Sequence, residues 1–97
     1  NVLSSVVFAR LENYSVYTTM KQALHGFTGC LTKEARLVGV KVTGVYPGGV
    51  DTGFRVAARP DYLRPESAAR MIVDCLTAPD DVVVHEIIYR PMVETNF

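Results

Sequence analysis

The sequence predicts an α/β fold, one βαβαβ half of a doubly wound parallel sheet. Two observations point there. Short β-branched runs alternate along the chain with longer segments whose apolar residues recur every three to four positions. The runs are near-continuously apolar rather than alternating, which suits parallel strands covered by helices on both faces. A chain of 97 residues holds one such domain and not two.

The first strand is placed at residues 1–7, Asn-Val-Leu-Ser-Ser-Val-Val, with a loop over 8–14. From Ser15 the period changes. Val16, Met20, Ala23/Leu24, Phe27, Cys30/Leu31 and Ala35 form the apolar stripe of a helix over 15–38. Lys33 and Arg36 suit its C-terminal dipole, and Gly39 suits its stop. Gly26 and Gly29 inside it point to close packing against another element. Residues 40–46 form the second strand, ended by Pro47-Gly48-Gly49. Residues 51–63 are irregular. Pro65 opens a second helix, with Ala68/Ala69, Ile72/Val73 and Leu76 as its stripe and Pro79 as its end. Val82-Val83-Val84 and Ile87-Ile88-Tyr89 form the third strand, broken at His85-Glu86, and a short tail over 92–97 packs or pairs at an edge.

Ten basic and ten acidic residues balance to a formal charge of zero. That argues against a nucleic-acid or anionic-membrane partner, either of which needs a basic face. Arg10, Arg36, Arg55, Arg59, Arg64, Arg70 and Arg90 are scattered and read as solvated surface. Cys30 and Cys75 read as buried reduced thiols, which places the chain in the cytoplasm. Neither has a second Cys or His at metal-ligand spacing, so no metal is expected. No apolar run approaches the roughly 18 residues of a membrane span, and the N-terminus lacks a signal-peptide pattern. The chain opens at Asn1 without Met, as if cut from a longer one.

Three features could carry chemistry. Tyr17 and Lys21 stand four apart on the first helix, hence on one face. An ammonium there draws a phenol down from its usual value of about 10, which suits proton exchange with a carbonyl/alcohol pair; the same spacing also fits an exposed helix pair of no consequence. Ser4 and Ser5 lie at the carboxyl end of the first strand, where open α/β sheets bind ligands, or merely cap the turn there. Pro47-Gly48-Gly49-Val50-Asp51-Thr52 ends the second strand at the same edge, where glycines let a flat ring approach the backbone, or form an ordinary turn.

Taken in order, Ser4-Ser5, Tyr17-Thr-Thr-Met-Lys21, Gly26-Phe27-Thr28, Gly39-Val40-Lys41-Val42, Pro47-Gly48-Gly49-Val50-Asp51-Thr52 and Leu63-Arg64-Pro65-Glu66 resemble the C-terminal half of the short-chain dehydrogenase/reductase family. The resemblance runs over essentially the whole chain. It implies the C-terminal half of a Rossmann-type sheet and an NAD(P)-dependent oxidoreductase that reduces carbonyls or oxidises secondary alcohols. Tyr17 would be the acid/base and also contact the cofactor, Lys21 would be its cationic neighbour and a ligand of the nicotinamide ribose, and Ser5 would position the substrate oxygen. Pro47 and Gly48 would border the nicotinamide, and Val50 would bind its carboxamide through the backbone. Thr52 would contact the carboxamide or pyrophosphate, and Gly53–Tyr62 would be a short substrate lid. The cofactor would be NADP or NAD, with NADP slightly favoured. The protein would form dimers or tetramers through the helix over 15–38. Phe8 stands where the family often has Gly, and no Gly-x-x-x-Gly-x-Gly loop occurs in these residues. The 97 residues are therefore expected to be a single incomplete domain lacking its dinucleotide-binding half. The alternative is a non-catalytic βαβαβ module that acts only in assembly or binding.

Overall fold

In the computed structural model, which describes residues 1–96, five elements follow one another. They are helix α1 (Val6–Ala9), helix α2 (Ser15–Arg36), strand β1 (Gly44–Pro47), helix α3 (Pro65–Leu76) and strand β2 (Glu86–Tyr89). β1 and β2 pair in parallel, from Gly44 opposite Glu86 to Pro47 opposite Tyr89. The N-terminal run lies along the other edge of β1. Val2 bridges Val45 in parallel, Leu3 N–H donates to the Val45 carbonyl at 2.7 Å, and Ser5 N–H donates to the Pro47 carbonyl at 2.9 Å. The architecture is the expected α/β Rossmann-like parallel sheet with alternating helices.

The regular strands are shorter than predicted. Only Val2 of the first run forms a bridge, and residues 6–9, expected as strand and loop, are helical. The Ser4 hydroxyl accepts the Val6 N–H at 3.2 Å and turns the chain there. Val6 and Val7, each 5% exposed, then bury their branched side chains from a helix instead of a strand. Burial overrides β propensity here. Val40–Thr43 and Val82–Val84 also fall outside the strands, and Glu86, expected as a break, opens β2. Val40, Val82 and Val83 are exposed, so their apolar character marks no ladder. α3 starts with Pro65 in its first turn, as predicted. α2 ends at Arg36, two residues early, and Gly39 takes φ 74 in the turn that follows.

The predicted stripe of α2 is mostly its outer face. Val16, Met20 and Phe27 are 57–79% exposed and Cys30 is exposed, so it is not the buried thiol expected; Cys75 is half-buried. The inner face instead runs Thr18, Lys21, Leu24, His25, Thr28, Leu31, Thr32 and Ala35. Threonines occupy it because their hydroxyls turn back on the helix: Thr28 donates to the Leu24 carbonyl at 2.7 Å and Thr32 to that of Thr28 at 2.8 Å. Gly26 and Gly29 face open space rather than a packed neighbour.

The core gathers on β1. Leu3, Val7 and the fully buried Tyr46 form it, with Leu24 of α2 against them. Burying a side chain of this size contributes roughly 1.5–3 kcal/mol. Tyr46 folds back over Gly44, where a Cβ would stand 2.8 Å from its Oη. Its hydroxyl donates to Glu86 Oε1 at 2.9 Å, and His25 Nδ1 lies 2.7 Å from the same oxygen. With its proton committed to Glu86, Tyr46 accepts from a His25 Nδ1–H. Phe8 packs on both rings, 5.2 Å from Tyr46 and 6.0 Å from His25. Phe8 thereby fills this junction. On the far face of the sheet, Tyr89 ties β2 to α3 by donating to the Ala68 carbonyl at 3.0 Å.

Burial, then the Glu86 hydrogen bond and charge, push the Tyr46 phenol well above its usual range. The folded state therefore holds this proton more tightly than the unfolded chain, whose Tyr ionises near about pH 10. The stability tied to the protonated phenol is fully present below that pH and is lost as pH climbs toward the raised folded value. Urea denaturation between about pH 8 and about pH 11 is expected to show stability falling above about pH 10 by up to roughly 1.4 kcal/mol per pH unit. Tyr46→Phe should remove most of that slope. Tyr89, raised chiefly by burial, leaves a remainder.

No helix among the described residues is long and apolar enough to cross a membrane. Phe97, part of the predicted tail, lies outside the described residues.

Candidate functional site

One cavity of about 680 Å³ opens at the carboxyl end of the sheet, where the N-terminal run and β1 both finish. Of the residues singled out in the sequence, Ser5, Tyr17, Gly48, Val50 and Thr52 line it. Pro47 and Lys21 do not. Pro47 acts through its carbonyl, which accepts the Ser5 N–H and locks the two strand ends together. Lys21 sits behind Tyr17, with Nζ 5.8 Å from the Tyr17 ring centroid and 3.5 Å from the Val2 carbonyl oxygen.

Ser4 and Ser5 both reach the cavity, and the fold separates their roles. The Ser4 hydroxyl is spent on the Val6 N–H. Ser5, 4% exposed, stands at the start of α1 and caps nothing with its side chain, so its hydroxyl is the one available to a ligand. Tyr17 projects from the first turn of α2 and is 39% exposed. Its ring meets Tyr14 edge-on, with centroids 6.2 Å apart.

Val50 forms a parallel bridge with Leu63. That bridge uses the neighbours of Val50: Leu63 N–H donates to the Gly49 carbonyl at 3.0 Å and Asp51 N–H donates to the Leu63 carbonyl at 2.9 Å. Parallel geometry turns the N–H and C=O of Val50 itself to the opposite side. Gly49 is required because a Cβ there would stand 2.2 Å from the Tyr62 ring. Among the described residues no cluster of His, Cys, Asp and Glu could hold a metal ion.

Arg55 and Tyr62, from the stretch expected as a substrate lid, line the cavity. Sequence reasoning missed other parts of the lining, namely Tyr14 and the tail through Val93, Glu94, Thr95 and Asn96. Glu94 Oε1 accepts the Gly49 N–H at 3.1 Å and Oε2 accepts Arg90 Nε–H at 3.0 Å. Arg90, which also reaches Asn96, is only 10% exposed in its side chain and is not the solvated residue expected. The Arg90–Glu94 spacing of four gave no signal because the two lie beyond any predicted helix. Tyr14 was detectable, since it precedes Tyr17 by three at a helix start. Arg55 fell within the expected lid but was read as solvated surface; the return of the chain to Leu63 brings it to the cavity.

The comparisons with known proteins fit this geometry. Residues 1–63 match the family described as short chain dehydrogenase. Oxidoreductases of unassigned role from Staphylococcus aureus strain USA300 and Staphylococcus epidermidis are 37% and 36% identical over 95 residues. The match takes in 95% of this chain and 41% of each relative, so the chain spans about two fifths of the length of those relatives. Among solved structures, an alcohol dehydrogenase from the archaeon Thermococcus sibiricus, complexed with 5-hydroxy-NADP, superposes with a TM-score of 0.81 at 29% identity. It covers 96% of this chain and 41% of that one. A serine dehydrogenase from Escherichia coli gives 0.83 at 21% identity, covering 98% and 40%, and speaks to the fold alone.

Proposed function

Because the chain belongs to the short-chain dehydrogenase family, we propose that it forms the catalytic part of an NAD(P)-dependent oxidoreductase that interconverts carbonyls and secondary alcohols. The observation that carries this reading is the convergence of Ser5, Tyr17 and the unengaged peptide edge of Val50 on one cavity.

The chain's own groups fit a nicotinamide. Its carboxamide offers one N–H donor side and one carbonyl acceptor, and Val50 turns one C=O and one N–H away from Leu63. Gly48 and Thr52 would border the same group, Pro47 would support that border from outside the lining, and Lys21, behind Tyr17, would reach forward to hold its ribose. When bound, the nicotinamide supplies or accepts the hydride. In the direction of reduction, the Tyr17 hydroxyl gives its proton to the substrate oxygen. Ser5 donates a hydrogen bond to that oxygen and holds it against Tyr17. Lys21 supplies positive charge beside the phenol as the proton leaves.

NADP is the first cofactor to try, consistent with the ligand of the Thermococcus sibiricus enzyme. Self-association into dimers or tetramers is assigned to the exposed Val16, Met20 and Phe27 face of α2, and a cytoplasmic setting to the two free thiols.

The test takes the full-length polypeptide that carries this chain and a panel of carbonyls and secondary alcohols, each with NADP(H) and NAD(H). Cofactor-dependent turnover of at least one pair is expected, with quenching of reduced-nicotinamide fluorescence on binding. No turnover and no cofactor binding, with self-association intact, would overturn the reading in favour of the non-catalytic assembly module.

A further inference from the structure

We propose that Arg55 makes the cavity selective for substrates bearing a carboxylate, so that the compounds turned over are hydroxy acids and the corresponding oxo acids. This rests on the oxidoreductase reading of the same cavity and adds a substrate class to it.

The charged side chains lining the cavity are Arg55, Arg90 and Glu94. Arg90 and Glu94 neutralise each other at 3.0 Å, and the other Glu94 oxygen is occupied by the Gly49 N–H. Arg55 keeps its charge without a carboxylate within 4.0 Å among the described residues. Its lid neighbour Arg59 differs, being paired with Asp61 at 3.5 Å. Among the described residues the charged side chains of the lining thus sum to one positive charge, and Arg55, which Glu94 also attracts, has no carboxylate in contact.

The guanidinium of Arg55 is raised further above its usual range by the nearby Tyr14 phenol. It also lies over the Tyr62 ring, 5.5 Å from the centroid. Both rings line the cavity, and Tyr14 packs against Tyr17. A guanidinium lying over a ring at the cavity wall is suited to a carboxylate, which accepts two parallel N–H bonds.

The chemistry leaves the carboxylate unchanged. In oxidation the alcohol carbon loses its hydrogen as hydride to the nicotinamide, and the hydroxyl loses its proton to the Tyr17 oxygen. A carbonyl forms while the acid group stays on Arg55.

The test compares lactate and 3-hydroxybutanoate with their methyl esters on the full-length protein, wild type, Arg55→Met and Arg55→Lys. The wild type is expected to favour at least one acid over its ester by tenfold or more in kcat/KM. Arg55→Met should lower kcat/KM for the acid by roughly 10- to 100-fold, mostly through KM, as expected for a lost charge-assisted hydrogen bond. The ester and the cofactor KM should stay within about twofold, and Arg55→Lys should recover part of the loss. Equal loss on acid and ester, or an ester preference in the wild type, overturns the proposal. A rise in cofactor KM with the acid-to-ester ratio unchanged also overturns it and assigns the guanidinium to a dinucleotide phosphate. Calorimetric binding of the same acids and esters in the presence of NADP reads the selectivity without turnover. Absent turnover with acid-selective binding that Arg55→Met abolishes would therefore sink the oxidoreductase reading while leaving the carboxylate site standing.

Discussion

Tyr17→Phe in the full-length protein is expected to lower turnover about a thousandfold while cofactor still binds, because the role proposed for the phenol is to exchange the substrate proton. The variant isolates one oxygen. The Tyr17 ring is partly exposed and packs edge-on against Tyr14, a contact that Phe retains. Stability should therefore shift by no more than about 0.5 kcal/mol, as for ordinary surface substitutions. Steady-state kinetics, nicotinamide fluorescence titration and a thermal melt on the same preparation separate the three effects. Near-normal turnover would remove Tyr17 from the proposed chemistry.

Tyr46→Ala is expected to be the most damaging single change to the fold, at about 3–5 kcal/mol, by analogy with other buried aromatic truncations. Tyr46 is 0% exposed and packs with Leu3, Val7 and Phe8. Its loss also strips His25 and Glu86 of the hydroxyl between them. Tyr46→Phe keeps the ring and should cost about 1–2 kcal/mol, since the partly exposed partners can turn to water. Urea denaturation at neutral pH checks both. A Tyr46→Ala protein within 1 kcal/mol of wild type would mean that the centre of the core lies elsewhere.

The reach of the sequence can be followed residue by residue. α3 was legible because its start is local: Pro65 and Glu66 satisfy a helix N-terminus whatever packs nearby. α2 was legible in extent but not in orientation. Its apolar residues divide between the two faces, Val16, Met20 and Phe27 outside and Leu24, Leu31 and Ala35 inside, and periodicity cannot tell a face covered by the sheet from one left to another surface. Val6 and Val7 misled because branched residues favour strands until a hydroxyl such as that of Ser4 turns the backbone. The spacing of Ser5, Tyr17 and Val50 carried the cavity, since helix and strand geometry set those positions. Arg55, Tyr14 and Glu94 belong to it through long-range folding. Nothing within a few residues of Glu94 indicates that its carboxylate will reach Gly49.

The pairing of Val50 with Leu63 has a consequence for how such a protein can change. Two backbone hydrogen bonds fasten both ends of residues 51–62 to each other beside the cavity, and neither bond involves a side chain. The segment between them is a cassette. Its length and lining can be rewritten at small entropic cost, because closing a longer loop adds only about 0.6 kcal/mol per doubling. Residues such as Ser5 and Tyr17 lie outside it. The lining of the cavity can therefore change by exchange of one surface segment, with Ser5 and Tyr17 left as they are.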